Sequence, residues 1–232
     1  MVAMKSLSAL FAFLLSTPLL LTAIPAQEKN EPTQASATRV EVPTFPNATC
    51  PIMGKKVSMP LFVDTSAGRF YVCCKPCFKK ILADVPAATK TAYPTVKVVG
   101  NKVCPVSGEP IGKEAITVTL QGHSFEVCCE ACVAAARANS QITLTKLLRR
   151  TVVDLGNTTC PVSGEPVAPN SFVLIGDTLV RLSSPKAVAD VEKAPLATLE
   201  KARELRSKQP EPAKHVHTPK PATEATAREA GK

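Results

Sequence analysis

Two short segments recur along this chain, and together they mark an internal repeat. Residues 47–54, 101–108 and 157–164 share the pattern Asn-x-x-Cys-Pro-x-x-Gly. Residues 70–77 and 125–132 share the pattern Phe-x-Val-Cys-Cys-x-x-Cys. Because both segments shift together by about 55 residues, the chain consists of three copies of one small unit.

Each copy carries the signals of a turn, a β-hairpin and a helix. Proline restricts φ and glycine accepts positive φ, so the Cys-Pro-x-x-Gly segment is typical of a turn. In the second copy, two alternating β runs at residues 115–120 and 123–128 are joined by Gln121-Gly122, which indicates a hairpin. Residues 131–138 are alanine-rich and indicate a helix. A short β run precedes each copy, at residues 39–42, 95–99 and 151–155.

The sequence therefore predicts an α+β fold made of tandem small units. The predicted boundaries are residues 1–26 for a signal peptide, 27–43 for a linker and lead-in strand, 44–94 for the first cysteine repeat, 95–150 for the second, 151–208 for a degenerate third repeat, and 209–232 for a disordered tail.

The third copy keeps Cys160 but has lost the later cysteines. Alignment of the sequences puts Leu182, Ser183 and Lys186 opposite Cys128, Cys129 and Cys132. Units this small need cross-links, a metal ion or neighbours to be stable, so we expect the third copy to pack on the second. Cys160, the odd thiol, is predicted either to be buried or to link two chains.

The N-terminus indicates export. A positively charged opening precedes an apolar stretch at residues 7–24, and small residues follow at Ala23 and Ala26, which is the layout of a secretory signal peptide. A membrane anchor is the alternative, because the stretch is near the lower limit for spanning a bilayer. No second apolar segment approaches that length, so we expect no stable membrane span after cleavage. The predicted location is periplasmic or secreted, in a bacterial cell envelope.

The net charge of +9 does not indicate a nucleic-acid partner. The chain has no tryptophan and only two tyrosines, whereas single-strand binders combine positive charge with stacking aromatic residues. Much of the excess charge lies after residue 200, which favours a solvated basic tail.

The cysteines form two clusters with nearly equal spacing. In the first copy, 22 residues separate Cys50 from Cys73, and three more separate Cys73 from Cys77. A thiol on a turn and two thiols at a strand-to-helix junction can converge on one soft cation. Disulfide pairing is the alternative in an oxidising compartment, where the clusters would staple an interaction module. The Cys-x-x-Cys pairs also allow, with less support, a thiol oxidoreductase.

A fourth cysteine in each copy has an open role. Cys74 follows Cys73, and Cys129 follows Cys128. Neighbouring side chains on a strand point in opposite directions unless the strand ends between them, so whether the fourth sulfur joins its cluster stays open.

These motifs resemble the YHS/TRASH group of metal-binding domains. The resemblance covers the first two copies and implies treble-clef-like units that bind heavy metals for sensing, trafficking or resistance. It implies Cys50, Cys73 and Cys77 as ligands in the first copy, and Cys104, Cys128 and Cys132 in the second. Relatives with a complete four-cysteine site have a cysteine where this chain has Met53, Ser107 and Ser163. A fourth zinc ligand would then come from Cys74 or Cys129.

The predicted cargo is therefore zinc or copper(I), bound by eight cysteines in two sites. Met53 offers a thioether for copper(I) in the first copy, or alternatively fills the core. We predict metal binding rather than catalysis, with a metal ion and an envelope protein as partners. The eight predicted ligands are Cys50, Cys73, Cys74, Cys77, Cys104, Cys128, Cys129 and Cys132.

Overall fold

The computed structural model of the protein describes residues 39–210. All of these residues belong to one compact unit. The predicted signal peptide, most of the predicted linker and the tail from residue 211 onward lie outside the described residues.

Three hairpins, each followed by helices, form the described part, and the predicted α+β class is confirmed. The elements are β1 (Val40–Glu41), β2 (Ser58–Thr65), β3 (Gly68–Val72), α1 (Pro76–Ala83), α2 (Val85–Ala92), β4 (Lys97–Val98), β5 (Ile116–Leu120), β6 (His123–Val127), α3 (Glu130–Ala138), α4 (Ser140–Leu148), β7 (Val153–Asp154), β8 (Phe172–Ile175), β9 (Thr178–Arg181), a 3-10 turn (Pro185–Ala187), α5 (Val188–Lys193) and α6 (Pro195–Ser207).

Two short helices follow each hairpin, where the sequence predicts one helical stretch. The breaks fall at Asp84, Asn139 and Ala194, whose φ angles are −149°, −121° and −147°. Asp84 also begins α2, because its carboxylate accepts a hydrogen bond from Ala87 N at 3.0 Å. None of the helices described here is long and apolar enough to cross a membrane.

The lead-in strands do not all pair in the same way. β4 and β7 each run parallel to the second hairpin strand of their own copy, β6 and β9. β1 precedes the first copy but pairs antiparallel with β8 of the third, with Val40 opposite Ile175. Glu41 of β1 also forms a bidentate ion pair with Arg149. The first and third copies are thus joined by a strand that local sequence patterns cannot assign.

Helix α4 of the second copy lies at the centre of the described part. Every residue from 140 to 145 is buried, and the helix packs against β3 of the first copy. Ile142 packs with three apolar side chains of the third copy, Phe172, Leu174 and Leu179. The expectation that the third copy packs on the second is therefore confirmed.

Gln121, in the hairpin turn of the second copy, joins it to the first. Its backbone N donates to Ala67 O at 3.0 Å, and its Oε1 accepts from Arg69 N at 3.1 Å. Its Nε2 donates to Phe45 O at 2.7 Å, and Gln141 of α4 also donates to Oε1. One side chain thereby links the first copy, the second hairpin and the central helix.

The structure corrects the alignment of the third copy by one residue. Glu126 and Arg181 each bind the asparagine that starts their copy, so these two residues are equivalent. The counterparts of Cys128, Cys129 and Cys132 are then Ser183, Ser184 and Ala187, and the predicted match to Leu182, Ser183 and Lys186 is wrong. Leu182 is fully buried and corresponds to Val127. Without a cysteine, nothing in the residue types marks where the third hairpin ends.

Candidate metal centre

The Cys-Pro turn presents the first cysteine of each copy in one conformation. Cys50 N donates to Lys55 O, and Gly54 N donates to Cys50 O, both at 2.8 Å. Gly54 has a φ of +65°, which disfavours residues with a side chain. The other two copies repeat these hydrogen bonds around Cys104 and Cys160. The predicted turn is confirmed in all three copies.

An asparagine side chain connects this turn to the second strand of the hairpin. In the first copy, Asn47 Nδ2 donates to Tyr71 O at 2.9 Å, while Asn47 Oδ1 accepts from Tyr71 N at 2.8 Å. Nδ2 also donates to Thr49 O at 2.7 Å, in the residue before Cys50. The asparagine thereby fixes Cys50 relative to Cys73, two residues after Tyr71.

The sequence prediction assigned no role to this asparagine. Asn101 and Asn157 make the corresponding bonds to Glu126 and Arg181. The signal was present in the sequence, because an asparagine stands three residues before the Cys-Pro pair in every copy.

The paired cysteines lie beyond the ends of their strands. β3 ends at Val72, so the side chains of Cys73 and Cys74 need not point to opposite faces of the strand. Their sulfurs lie 3.8 Å apart. Cys77 lies in the first turn of α1, with its Sγ 3.4 Å from that of Cys74. The strand-to-helix junction therefore brings the sulfurs of Cys73, Cys74 and Cys77 close together.

Each of the first two copies gathers three thiols. The sulfurs of Cys50, Cys73 and Cys77 lie within 4.8 Å of one another, and so do those of Cys104, Cys128 and Cys132. We call these groups the first and second cluster. The second cluster is buried throughout, whereas Cys73 in the first is partly exposed. All nine cysteines of the chain are free thiols.

The fourth cysteine of each copy lies beside its cluster, outside the group of three. Cys74 is described above, and Cys129 Sγ lies 3.9 Å from Cys128 Sγ and 3.4 Å from Cys132 Sγ. Both side chains are partly exposed. Cys74 and Cys129 are therefore near enough to supply a fourth sulfur after a small rearrangement.

The residue three positions after the first cysteine differs between the two clusters. Ser107 Oγ lies 3.3 Å from Cys128 Sγ, so a hydroxyl contacts the second cluster. The counterpart Met53 is 50 % exposed. The prediction that Met53 fills the core is therefore wrong, because half of its surface remains in solvent.

Backbone N–H groups favour the thiolate form of the first cysteine in each cluster. Burial of Cys50 opposes ionisation, but N–H groups of Cys73, Ile52 and Met53 outweigh it and lower its pKa to about 7. Cys104 is buried too, and hydrogen bonds from the backbone and side chain of Ser107 help lower its pKa to about 7. The turn thus favours ionisation of this cysteine near neutral pH.

The helix cysteines have the opposite tendency. Burial, together with the neighbouring Cys74 and Cys50 thiols, raises the pKa of Cys77 to about 12. Burial likewise raises the pKa of Cys132. Several thiolates cannot share a small buried volume without a positive charge, so full ionisation of either cluster requires a bound cation.

The donor atoms and their spacing fit a soft metal ion. Thiolates select zinc, copper(I) and similar ions over hard cations. When sulfurs bind one ion in tetrahedral geometry at about 2.3 Å, any two of them lie about 3.8 Å apart. Within the second cluster, the sulfurs of Cys128 and Cys132 lie 3.5 Å apart. The sulfurs of Cys74 and Cys129 lie 3.4 to 3.9 Å from two sulfurs of the neighbouring cluster. Two cysteine clusters that can hold a metal ion are therefore present, and their geometry does not distinguish zinc from copper(I).

The third copy retains the framework of the site with a single sulfur. Cys160 is fully buried, which confirms the first of the two alternatives predicted for it. Ser163 Oγ and Ser183 Oγ lie 2.9 Å apart, in the positions of Ser107 and Cys128. Burial opposes ionisation of Cys160, but the backbones and hydroxyls of these serines lower its pKa to about 7. Ser183 and Ser184 stand where the second copy has Cys128 and Cys129, and Ala187 stands where it has Cys132.

Comparisons with protein-family models, with curated proteins and with solved structures gave no match. The resemblance to the YHS/TRASH group stays a prediction that rests on the motifs.

Proposed function

We propose that this chain is an exported protein that binds a soft metal ion, zinc or copper(I), at each of its two cysteine clusters. Its role would be buffering, trafficking or resistance. One observation carries the proposal: in two copies, thiols more than 20 residues apart in sequence gather within 4.8 Å. Chance would not bring three free thiols together twice at equivalent positions of one repeated framework.

Cys50, Cys73 and Cys77 hold one ion in this proposal, and Cys104, Cys128 and Cys132 hold the other. Cys74 and Cys129 supply the fourth sulfur when the ion requires four ligands. The backbone N–H groups around Cys50 and Cys104 support this assignment, because they stabilise a thiolate before the metal arrives.

The family and location are part of the same proposal. A Cys-Pro turn, a hairpin and a helix whose first turn carries a cysteine, in that order, support a treble-clef-like unit of the YHS/TRASH type. The apolar N-terminal stretch supports export to the envelope of a bacterial cell. Thiolate binding there requires metal to bind before the cysteines oxidise.

A thiol oxidoreductase is a second candidate, favoured by one observation in the first copy. Hydrogen bonds from Cys77 and Cys73 lower the pKa of the partly exposed Cys74, while Cys77 is buried with a raised pKa. An exposed nucleophile with a buried resolving thiol is the arrangement of Cys-x-x-Cys enzymes. Against it, Cys73 lies 3.8 Å from Cys74 and would compete for the mixed disulfide.

Metal titration of the reduced full chain tests the proposal. We expect two zinc or copper(I) ions per chain, and one ion in either triple variant, C50S/C73S/C77S or C104S/C128S/C132S. The control Cys160→Ser should keep both ions. A chain that binds neither metal would refute metal binding as the function. Catalytic reduction of a disulfide substrate by such a chain would support the oxidoreductase instead.

A further inference from the structure

Five exposed lysines lie close to the first cluster in sequence and structure, and we call them the lysine surface. They are Lys55, Lys56, Lys75, Lys79 and Lys80. Within residues 39–210, none of them forms an ion pair with a carboxylate. Their charge is therefore available to solvent and to partners.

The lysine surface covers both elements that carry the thiols. On the Cys-Pro turn, Lys55 O accepts the hydrogen bond from Cys50 N, and Lys56 lies opposite Thr49. At the strand-to-helix junction, Lys75 follows Cys74 directly and begins α1. Lys79 and Lys80 lie on the same helix as Cys77. Positive charge thus flanks the first cluster on both elements.

None of the five lysines has a basic counterpart in the second copy, where Lys102, Lys146 and Arg150 instead line a cavity beside Cys104. The counterparts of the five lysines are Glu109, Pro110, Glu130, Ala134 and Ala135. The hydrogen bond from Cys104 N to Glu109 O confirms the match on the turn. Glu130 supplies α3 with an acidic residue in its first turn, whereas α1 has none there. The two sites therefore share a framework and differ in charge.

At the start of α1 this charge works against the fold, whereas Lys80 in the last turn is favourably placed. Lys75 lies at the positive end of the α1 dipole, where a cation is unfavourable. Lys75, at the N-cap of α1, precedes Lys79 by four residues, a spacing at which like charges repel each other. A feature that works against local stability and appears in one copy only indicates a binding role.

The first cluster is also the more accessible of the two. Cys73 is partly exposed, and Met53, three residues after Cys50, is 50 % exposed. Cys104, Cys128 and Cys132 are all buried. Met53 is thus an exposed apolar side chain two residues before Lys55, and protein interfaces combine an apolar centre with a polar rim.

We propose that the lysine surface docks an acidic protein, and that this partner exchanges metal with the first cluster while the second cluster retains its ion. The exchange rests on the metal-binding function proposed above, whereas the docking does not. Charge complementarity accelerates such encounters by about 10- to 1,000-fold at low ionic strength.

Two synthetic peptides test the proposal, each with a Cys-Gly-Gly-Cys core, one flanked by glutamates and the other by lysines. Metal transfer is measured from the loaded full chain at low and at high salt. The variant K55Q/K56Q/K75Q/K79Q/K80Q removes the lysine surface. The matched control K90Q/K97Q/K113Q/K186Q/K201Q removes the same charge from exposed positions elsewhere.

We expect the glutamate peptide to remove the first ion at least about tenfold faster than the lysine peptide. That difference should disappear at high salt and in the variant without the lysine surface, and persist in the control. Equal rates for the two peptides, or equal losses in both variants, would overturn the proposal.

Docking is measured separately, with the metal-free chain and a glutamate peptide whose cysteines are replaced by serine. Binding that requires the lysine surface supports docking even if the chain carries no metal. Metal binding without such docking would leave the metal-binding function intact and overturn this proposal. Sedimentation with phosphatidylglycerol vesicles tests a membrane as the alternative partner. If the lysine surface is required for binding to vesicles but the chain does not bind the peptide, the surface faces a membrane and the proposal is wrong.

Discussion

The side chain of Asn101 binds the backbone of Glu126 through both of its polar atoms. Nδ2 donates to Glu126 O at 2.8 Å, and Oδ1 accepts from Glu126 N at 3.0 Å. Nδ2 also donates to Val103 O at 2.9 Å. These bonds hold Val103, the residue before Cys104, next to β6, which ends at Val127 just before Cys128. In the first two copies, the position of the first cysteine relative to the junction cysteines therefore depends on an asparagine outside the cluster.

Replacing this asparagine should weaken metal binding without removing a sulfur. Residues that orient metal ligands typically contribute 10- to 100-fold in affinity, so we expect about that loss at one site in Asn47→Ala and at the other in Asn101→Ala. Competition with a chromophoric chelator measures the affinity of each site. Asn157→Ala is the matched control, because it removes the same bonds from a copy without a cluster and should lower only the free energy of unfolding. Unchanged affinity in the first two variants would contradict the assignment.

A third metal site should appear when two residues of the third copy become cysteine. Ser183 and Ala187 are the counterparts of Cys128 and Cys132, and Cys160 is already in place. We expect S183C/A187C to raise the metal stoichiometry from two ions to three. The control variant S183C/K186C has the same number of cysteines, but its second one is at Lys186, which the sequence alignment puts opposite Cys132. It should still bind two ions. Equal stoichiometry in the two variants would show that the structural register is wrong.

The metal affinity of the first cluster should rise with pH, with a slope that changes near neutrality. Metal binding releases the proton of each thiol that is still protonated. The pKa of Cys50 is lowered to about 7, whereas that of Cys73 is raised and that of Cys77 is about 12. The logarithm of the binding constant should therefore rise by about three per pH unit below pH 6 and by about two above pH 8. A pH-independent affinity would contradict thiolate ligation.

Replacing Gln121 should destabilise the contact between the first two copies. Its amide bonds to Phe45 O and Arg69 N, and a buried group left without a partner costs about 1–3 kcal/mol. We expect Gln121→Ala to lower the free energy of unfolding by at least about 2 kcal/mol in urea. Metal stoichiometry should stay at two under native conditions, because neither cluster contacts Gln121. An unchanged urea midpoint would exclude a linking role for this side chain.

The sequence predicted the parts of the fold that local chemistry determines. Proline and glycine around Cys50 mark the turn, and the two-residue connection at Gln121-Gly122 marks the second hairpin, whose strands end within one residue of the predicted bounds. The repeat itself predicted that equivalent cysteines would meet twice. These features depend on backbone preferences over a few residues, so a single sequence is enough to read them.

Features that depend on distant pairing could not be predicted in the same way. The pairing of β1 with β8 brings together residues more than 130 positions apart, and neither strand carries a signal for its partner. The sequence alignment of the third copy is one residue early because no cysteine marks the end of β9. Lys55 and Lys75 lie 20 residues apart and form no charge run, so only the fold shows that both flank one cluster.

Mass spectrometry of the intact, non-denatured full chain tests the central claim most directly, since it reports bound metal and cysteine oxidation together. We predict a species that carries two zinc or copper(I) ions, and a metal-free form after acidification whose mass corresponds to nine reduced thiols. A metal-free native species that has lost two hydrogens per disulfide at these cysteines would contradict the account.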